Sequence, residues 1–235
     1  MTKYLALLSL VIIIALSSFS LYHQDNDIPV VEIIDPSNRS TVSYGSVINY
    51  RVNISDKEDG TSKYDEIQQT EVFLQLKYLP SEKDVSNYLQ KEKQSEKAFI
   101  LMKQNGCLNC HSLQYKLAGP SFRDIATRYG AATTTYEKLS EKIIKGSHGV
   151  WGDSQQMPPH PDLIKEDAVA LARLVVQYGT DKNIDLYTGT EGTIQLRKNQ
   201  NKNAAVLLLT ASYLDHGIES ANRKEGRAVA KIYLK

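Results

Sequence analysis

The sequence predicts an α+β chain in which an all-helical domain is inserted between strands of one β-sandwich. Three observations carry this. Residues before 80 alternate apolar and polar at the period of a half-buried strand. Residues 81–180 repeat their apolar positions at helical spacing, and residues after 190 return to the strand period. The 235 residues suffice for one large domain or two small ones, and 41% hydrophobic with 23% charged residues is ordinary for a globular protein. That balance excludes a wholly disordered chain and a multispanning membrane protein. A net charge of +1 gives no reason for a polyanionic partner, so no nucleic acid is expected.

Residues 4–16 are apolar apart from Ser9, with Lys3 just ahead. This run matches the apolar region of a signal peptide and falls short of the roughly 20 residues that span a bilayer. The small residues of SSFS follow, without an Ala-x-Ala pattern. Residues 1–20 are therefore expected to be a signal peptide cut after Ser20, with an uncleaved N-terminal membrane anchor as the alternative. On either reading the rest of the chain is exported, to the periplasm or the outer face of a membrane. No cysteine stands near residue 20 to carry a lipid.

The first part of the sandwich is expected over 28–80. Val30 to Ile34 is a short apolar run closed by Asp35-Pro36. Ile48, Tyr50, Val52 and Ile54 share one face of a strand, with Asn49, Arg51 and Asn53 on the other. Val72, Leu74, Leu76 and Tyr78 repeat the pattern up to Pro80. Residues 81–97 are charged, and a helical stretch from Ala98 to Met102 runs on to Gly106. Tyr136, Leu139 and Ile143 mark a second helix, and Ala168, Leu171, Ala172, Val175 and Tyr178 a third that ends at Gly179. The helical domain is thus placed at 81–180. The second part of the sandwich, 181–235, offers strands at 193–197, 206–213 and 229–234. Neither set of three approaches the usual count of about seven strands. Together they nearly reach it, and exposed loops tolerate such insertions. Residues 1–81 are net −4, residues 82–180 are +2 and residues 181–235 are +3, a pattern that ordinary solvated surface explains.

Chemistry concentrates in Cys107-Leu108-Asn109-Cys110-His111, which reads C-x-x-C-H. In an exported protein this is a c-type haem attachment site: each thiol can add across a haem vinyl group, and the adjacent imidazole can bind the iron. A thioredoxin-like pair would follow a strand in a βαβ setting, and none is visible. Zinc would need a second pair of ligands, and no other cysteine exists. A disulfide between positions so close would give the fold little.

The surrounding sequence resembles the class I cytochromes c, especially the small bacterial ones. The resemblance covers roughly 95–179. It rests on CLNCH, on Gly119-Pro120-Ser121-Phe122, on Gly146-Ser147-His148-Gly149-Val150-Trp151-Gly152 and on Gln156-Met157-Pro158-Pro159. It implies one covalently bound haem c, with Cys107 and Cys110 as thioether donors and His111 as proximal ligand. It further implies Met157 as distal ligand, the Pro120 carbonyl as partner of the second ring nitrogen of His111, and Trp151 as a hydrogen-bond donor to a propionate. Met102, in the first helix, reads as core or haem edge. His148 and His160 are the rivals of Met157 and read as surface loop residues, while His23 and His216 fall outside the domain.

The β parts resemble a bacterial immunoglobulin-like or PKD-like module. The resemblance rests on Ser55-Asp56-Lys57-Glu58-Asp59-Gly60 and on the stretch Leu209 to Gly217. Ala204 to Val206 stand where that family carries a tyrosine. Such modules accompany cytochrome domains in exported sugar-dehydrogenase-type systems, which makes a carbohydrate- or protein-binding β module one alternative role. The acidic residues Asp56, Glu58, Asp59, Asp65 and Glu66 are a weak calcium candidate against the ordinary reading of a solvated turn. The function expected is single-electron transfer between redox partner proteins rather than catalysis. A two-haem peroxidase needs a second C-x-x-C-H, which is absent from the sequence. A haem sensor or enzyme needs an open axial position.

Overall fold

The computed structural model describes residues 25–152, 156–198, 204–218 and 222–235. The expected signal or anchor segment, 1–20, lies outside them, as does His23. Among the described residues no helix is long and apolar enough to cross a membrane.

Two sheets and a helical domain make up the molecule. In the first sheet, β3 (Val47–Asp56) pairs antiparallel with β1 (Val30–Asp35), β4 (Gly60–Thr61) and β9 (Glu191–Gln195). The second sheet runs in the order β2 (Thr41–Val42), β11 (Glu225–Leu234), β10 (Val206–Leu214), β5 (Val72–Leu79), β8 (Ile184–Thr188). Both sheets therefore mix strands from before and after the helical segment. The chain leaves the second sheet at β5 and returns beside it in β8, where Lys77 pairs with Ile184 and the Tyr78 N–H donates to the Asn183 carbonyl at 2.9 Å.

The sandwich core follows from the strand period. Along β3, buried and exposed residues alternate without a break, and Val52 and Ile54 are each 1% exposed. They meet Leu74 and Leu76 from β5 and Leu207, Leu209 and Tyr213 from β10. All nine residues of β10 are buried, because its second face is covered as well. Leu208 and Val206 there meet Val85, Tyr88 and Leu89 of α1 (Asp84–Gln104).

The remaining helices are α2 (Cys107–Cys110), α3 (Phe122–Tyr129), α4 (Thr133–Lys145) and α5 (Lys165–Thr180). Leu171 and Ala172 of α5 pack with Met102 of α1, Leu139 of α4 and Phe122 of α3. The ring of Phe99 meets Tyr178 at 6.1 Å between centroids. A two-rung ribbon, β6 (Ser147–His148) with β7 (Gln156–Met157), closes the far side of the domain.

Several expectations need correction. The charged stretch 84–97 is helical, because it lies along the outer face of the second sheet, where Val85, Tyr88 and Leu89 pack on Val206 and Leu208 and Glu92 and Glu96 pair with Arg227. Strand β8 and helix α3 were not expected. The strand placed at 193–197 is Glu191–Gln195, and that placed at 229–234 begins at Glu225. The third helix runs past Gly179 to Thr180. The five acidic residues of the calcium candidate do not form one ligand set, because Glu66 and Asp59 are engaged elsewhere. Glu66 accepts from the Thr61 N–H, and Asp59 accepts from Tyr213 and the His216 N–H. Among the described residues no three His, Cys, Asp or Glu side chains gather as a metal site.

Candidate functional site

The site is assembled from the end of α1 onward. Gly106 takes a left-handed φ of 62° and turns the chain into the single helical turn α2. That turn carries Cys107, half-buried, and Cys110, exposed, and the two are not bridged. Burial pushes the Cys107 thiol up to about 11, so it remains protonated at neutral pH. The chain then becomes extended at His111, whose N–H donates to the Cys107 carbonyl at 3.0 Å.

The imidazole of His111 is fixed from three sides. Its Nδ1 lies 2.7 Å from the Pro120 carbonyl oxygen. A carbonyl only accepts, so Nδ1 carries the proton and Nε2 presents a lone pair. Burial lowers the pKa of the ring while the Pro120 bond opposes that shift, which favours the neutral, ligating form. Gly119 lies so close that a Cβ there would stand 2.5 Å from Cε1 of the ring. Phe122 stacks against it at 6.1 Å. Pro120 is held in turn by a capping box at the start of α3. The Ser121 hydroxyl accepts from the Asp124 N–H at 3.0 Å, and the Asp124 carboxylate accepts from the Ser121 N–H at 3.3 Å.

Met157 reaches the same cavity from β7. It is half-buried and pairs with Ser147. Gly146 permits that approach, because a Cβ there would lie 2.7 Å from the Met157 carbonyl oxygen. The loop is tied to α4 where the His160 N–H meets the Ile143 and Ile144 carbonyls, each at 3.1 Å. Trp151 also lines the cavity, with the Arg128 guanidinium 4.6 Å from its ring centre.

The structure thus brings Cys107, Cys110, His111, Pro120, Trp151 and Met157 to one cavity, whose other walls include Met102, Ile125, Leu139, Leu171 and Val175. Its empty space is about 1030 Å³, open mouth included. Neither His148, exposed on β6, nor His160 lines it. The donor set is one neutral imidazole, one thioether and two thiols over apolar walls, which fits a haem c. Sequence reasoning gave no role to Arg128 or to the capping of α3. The signal for the latter was present, since Ser121-Phe122-Arg123-Asp124 has the capping-box spacing.

A helical domain with an immobilised histidine after a C-x-x-C pair and a methionine across the same apolar cleft defines a c-type haem protein. Comparison with known proteins agrees. The family model for cytochrome c matches residues 95–178. Cytochrome c-552 of Nitrosomonas europaea is 42% identical over 72 residues, which are 31% of this chain and 69% of that relative. Cytochrome c-552 of Hydrogenobacter thermophilus is 40% identical over 76 residues, 32% of this chain and 76% of that relative. The crystal structure of the wild-type Nitrosomonas europaea protein aligns at 38% identity over 33% of this chain and 95% of its own, with a TM-score of 0.31. The chain belongs to the cytochrome c family through this helical domain, and it carries one covalently bound haem c.

Proposed function

We propose that this chain is an exported cytochrome with a single haem that passes single electrons between redox partner proteins, and is not an enzyme. In this reading Cys107 and Cys110 would hold the haem by thioethers, His111 and Met157 would bind its iron, and Trp151 would partner a propionate. One observation carries it: the free Nε2 of His111 and the side chain of Met157 belong to the same apolar cavity, with the imidazole held by Pro120 at 2.7 Å. When bound, the haem supplies a one-electron ferric–ferrous couple. The chain's own residues do the rest. Pro120 orients His111 and keeps its ligating nitrogen unprotonated, the thioether of Met157 favours the ferrous state, and the apolar walls exclude water. With His111 and Met157 both given to the iron, no position would remain there for a substrate.

Partner contact is assigned to the loop after the C-x-x-C-H turn. Tyr115 and Leu117 are 73% and 49% exposed there, and the Gly119 N–H ties this loop to the Cys110 carbonyl at 2.8 Å. A small apolar patch suits the brief encounters of electron transfer. We read the β part, 28–80 with 181–235, as an immunoglobulin-like sandwich into which the haem domain, 81–180, is inserted. The pairing of β5 with β8 supports that reading. Residues 1–20 are the export signal or an anchor to the outer face of a membrane.

Potentiometry on the full chain, matured with haem c, tests the function. A reversible one-electron couple is expected, and Met157→Ala should lower the potential and admit cyanide. Rapid carbon monoxide binding by the unmodified reduced protein would overturn the reading in favour of a sensor or enzyme.

A further inference from the structure

Far from the haem cleft, at the end of the sandwich where the chain enters β1, three buried side-chain oxygens receive no hydrogen bond from the protein. Asp56, which ends β3, is 8% exposed. Its Oδ1 accepts from the N–H groups of Glu58 at 3.0 Å and Asp59 at 2.8 Å, and its Oδ2 accepts from nothing. Asn26 is 5% exposed. Its Nδ2 donates to Asp215 Oδ2 at 2.7 Å and to the Asn222 carbonyl at 2.9 Å. Two acceptors on that nitrogen fix the amide orientation and leave Oδ1 as an unpartnered acceptor. The Glu58 side chain is 9% exposed, and its Oε2 accepts from the Asp27 N–H at 3.3 Å while Oε1 has no hydrogen-bond donor. These three residues are neighbours: Asp56 caps the turn that carries Glu58, and Glu58 bonds the residue after Asn26.

Among the described residues only one other buried side-chain atom, Ser40 Oγ, lacks a hydrogen-bond partner. The coincidence is therefore chemical as well as spatial, since all three atoms at this end of the sandwich are acceptors and two belong to carboxylates. Burying a carboxylate oxygen without a donor or counter-charge is costly. The nearby cations do little to offset it. Arg223 and Lys224 donate to the backbone carbonyls of Asp215, Leu214 and Asn26. Lys57, 65% exposed, forms only a long ion pair with Glu58 Oε1 at 3.8 Å and lies closer to Asp27, at 3.2 Å. Asp59 and Asp215 add further negative charge, with His216 beside Asp59 at 3.2 Å. A water would supply hydrogen bonds to these oxygens and leave their charge uncompensated.

We propose that Asn26 Oδ1, Asp56 Oδ2 and Glu58 Oε1 are ligands of a calcium ion that pins the segment leading into β1 against the turn after β3. An all-oxygen set of carboxylates with an amide carbonyl is the preference of a hard cation, and calcium accepts the irregular geometry that magnesium refuses. Two carboxylates and one amide leave the remaining positions to backbone carbonyls and water. So few charged ligands place the affinity in the weak class of extracellular modules, with Kd about 10⁻⁴–10⁻³ M.

Isothermal titration of the chelator-treated, haem-loaded full chain with calcium chloride tests this. One saturable site is expected in that range, with magnesium chloride much weaker. Asp56→Asn and Glu58→Gln keep the backbone-capping oxygen and the shape of each side chain. Each should weaken calcium binding about tenfold or more with unchanged far-ultraviolet circular dichroism. No saturable heat up to about 10 mM calcium would overturn the proposal, as would wild-type affinity in both variants. A second measurement needs no variant. Terbium should bind the same site and emit when Tyr213, hydrogen-bonded to Asp59 at 2.7 Å, is excited, and calcium should quench that emission by displacement. Emission that calcium leaves unchanged would contradict the assignment.

Discussion

The helical domain meets its surroundings through two faces of opposite chemistry. Towards the cleft it presents Met102, Leu139, Leu171 and Val175, with the polar work left to a few ring, thiol and thioether atoms. Towards the second sheet it presents a buried polar network. The Tyr178 hydroxyl donates to Gln75 at 2.8 Å, Gln75 donates to the Tyr88 hydroxyl at 2.7 Å and to Glu92, and Arg227 pairs with Glu92 at 2.8 Å. Lys103 and Glu225 form an ion pair with side chains only 3% and 4% exposed, and the ammonium also lies 4.7 Å from the ring centre of Phe99. An apolar wall accepts any flat apolar group, so on the proposed reading the cleft draws its selectivity from Cys107, Cys110 and His111. A buried network accepts one register only, because any slip leaves a charge or a donor unpaired. The first face suits a cofactor, and the second holds the haem domain in one orientation on the sandwich.

The comparison can be broken from either side. The largest effect is at the cleft: Cys107→Ala with Cys110→Ala should abolish covalent haem, read as loss of haem staining in a denaturing gel. Next is the docking face. Lys103→Met strands the Glu225 carboxylate and should cost about 3–5 kcal/mol in urea unfolding. The double change Lys103→Met with Glu225→Leu should recover most of that loss, and a single variant as stable as the parent would refute the role of the pair. In the sandwich core, Leu209→Ala should cost about 2–5 kcal/mol while leaving the haem spectrum unmoved. A spectral change there would mean that the two regions are less separate than their contacts suggest.

The smallest effect is a pH dependence confined to the sandwich. The hydrogen bond that the His216 ring donates to the Glu71 carboxylate, with the charge of Asp59 in support, raises the pKa of His216 above its ordinary value. Its stabilisation is therefore full below about pH 6.5 and is lost as pH rises through the raised folded value. Thermal unfolding across that window should show the loss, and His216→Gln should flatten it.

The two regions also differ in how much of them the sequence exposes. The residues that line the cleft are largely legible in it, because C-x-x-C-H and the segments around Pro120 and Met157 are each short local motifs. Strand β3 is equally plain, since Ile48, Tyr50, Val52 and Ile54 follow the burial pattern residue for residue. The docking face is hidden. Glu92, Glu96 and Lys103 look like solvated helix charges until Arg227 and Glu225 arrive from more than 120 residues away. Strand β8 is hidden for a related reason: Ile184 and Leu186 pack with the helical domain rather than with the sandwich core, so its pattern is not that of a two-sheet strand. Asn26 carries no signal at all, because its partners Asp215 and Asn222 are brought to it only by the fold.

The visible absorption spectrum of the full chain, matured with haem c and compared with Met157→Ala, tests the central claim most directly. The account predicts a haem c spectrum with the weak red methionine–iron charge-transfer band in the oxidised protein, and its loss in the variant together with rapid cyanide binding. A band that persists in Met157→Ala would contradict the assigned ligand pair, and an oxidised parent protein without the band that takes up cyanide at once would contradict the closed electron carrier itself.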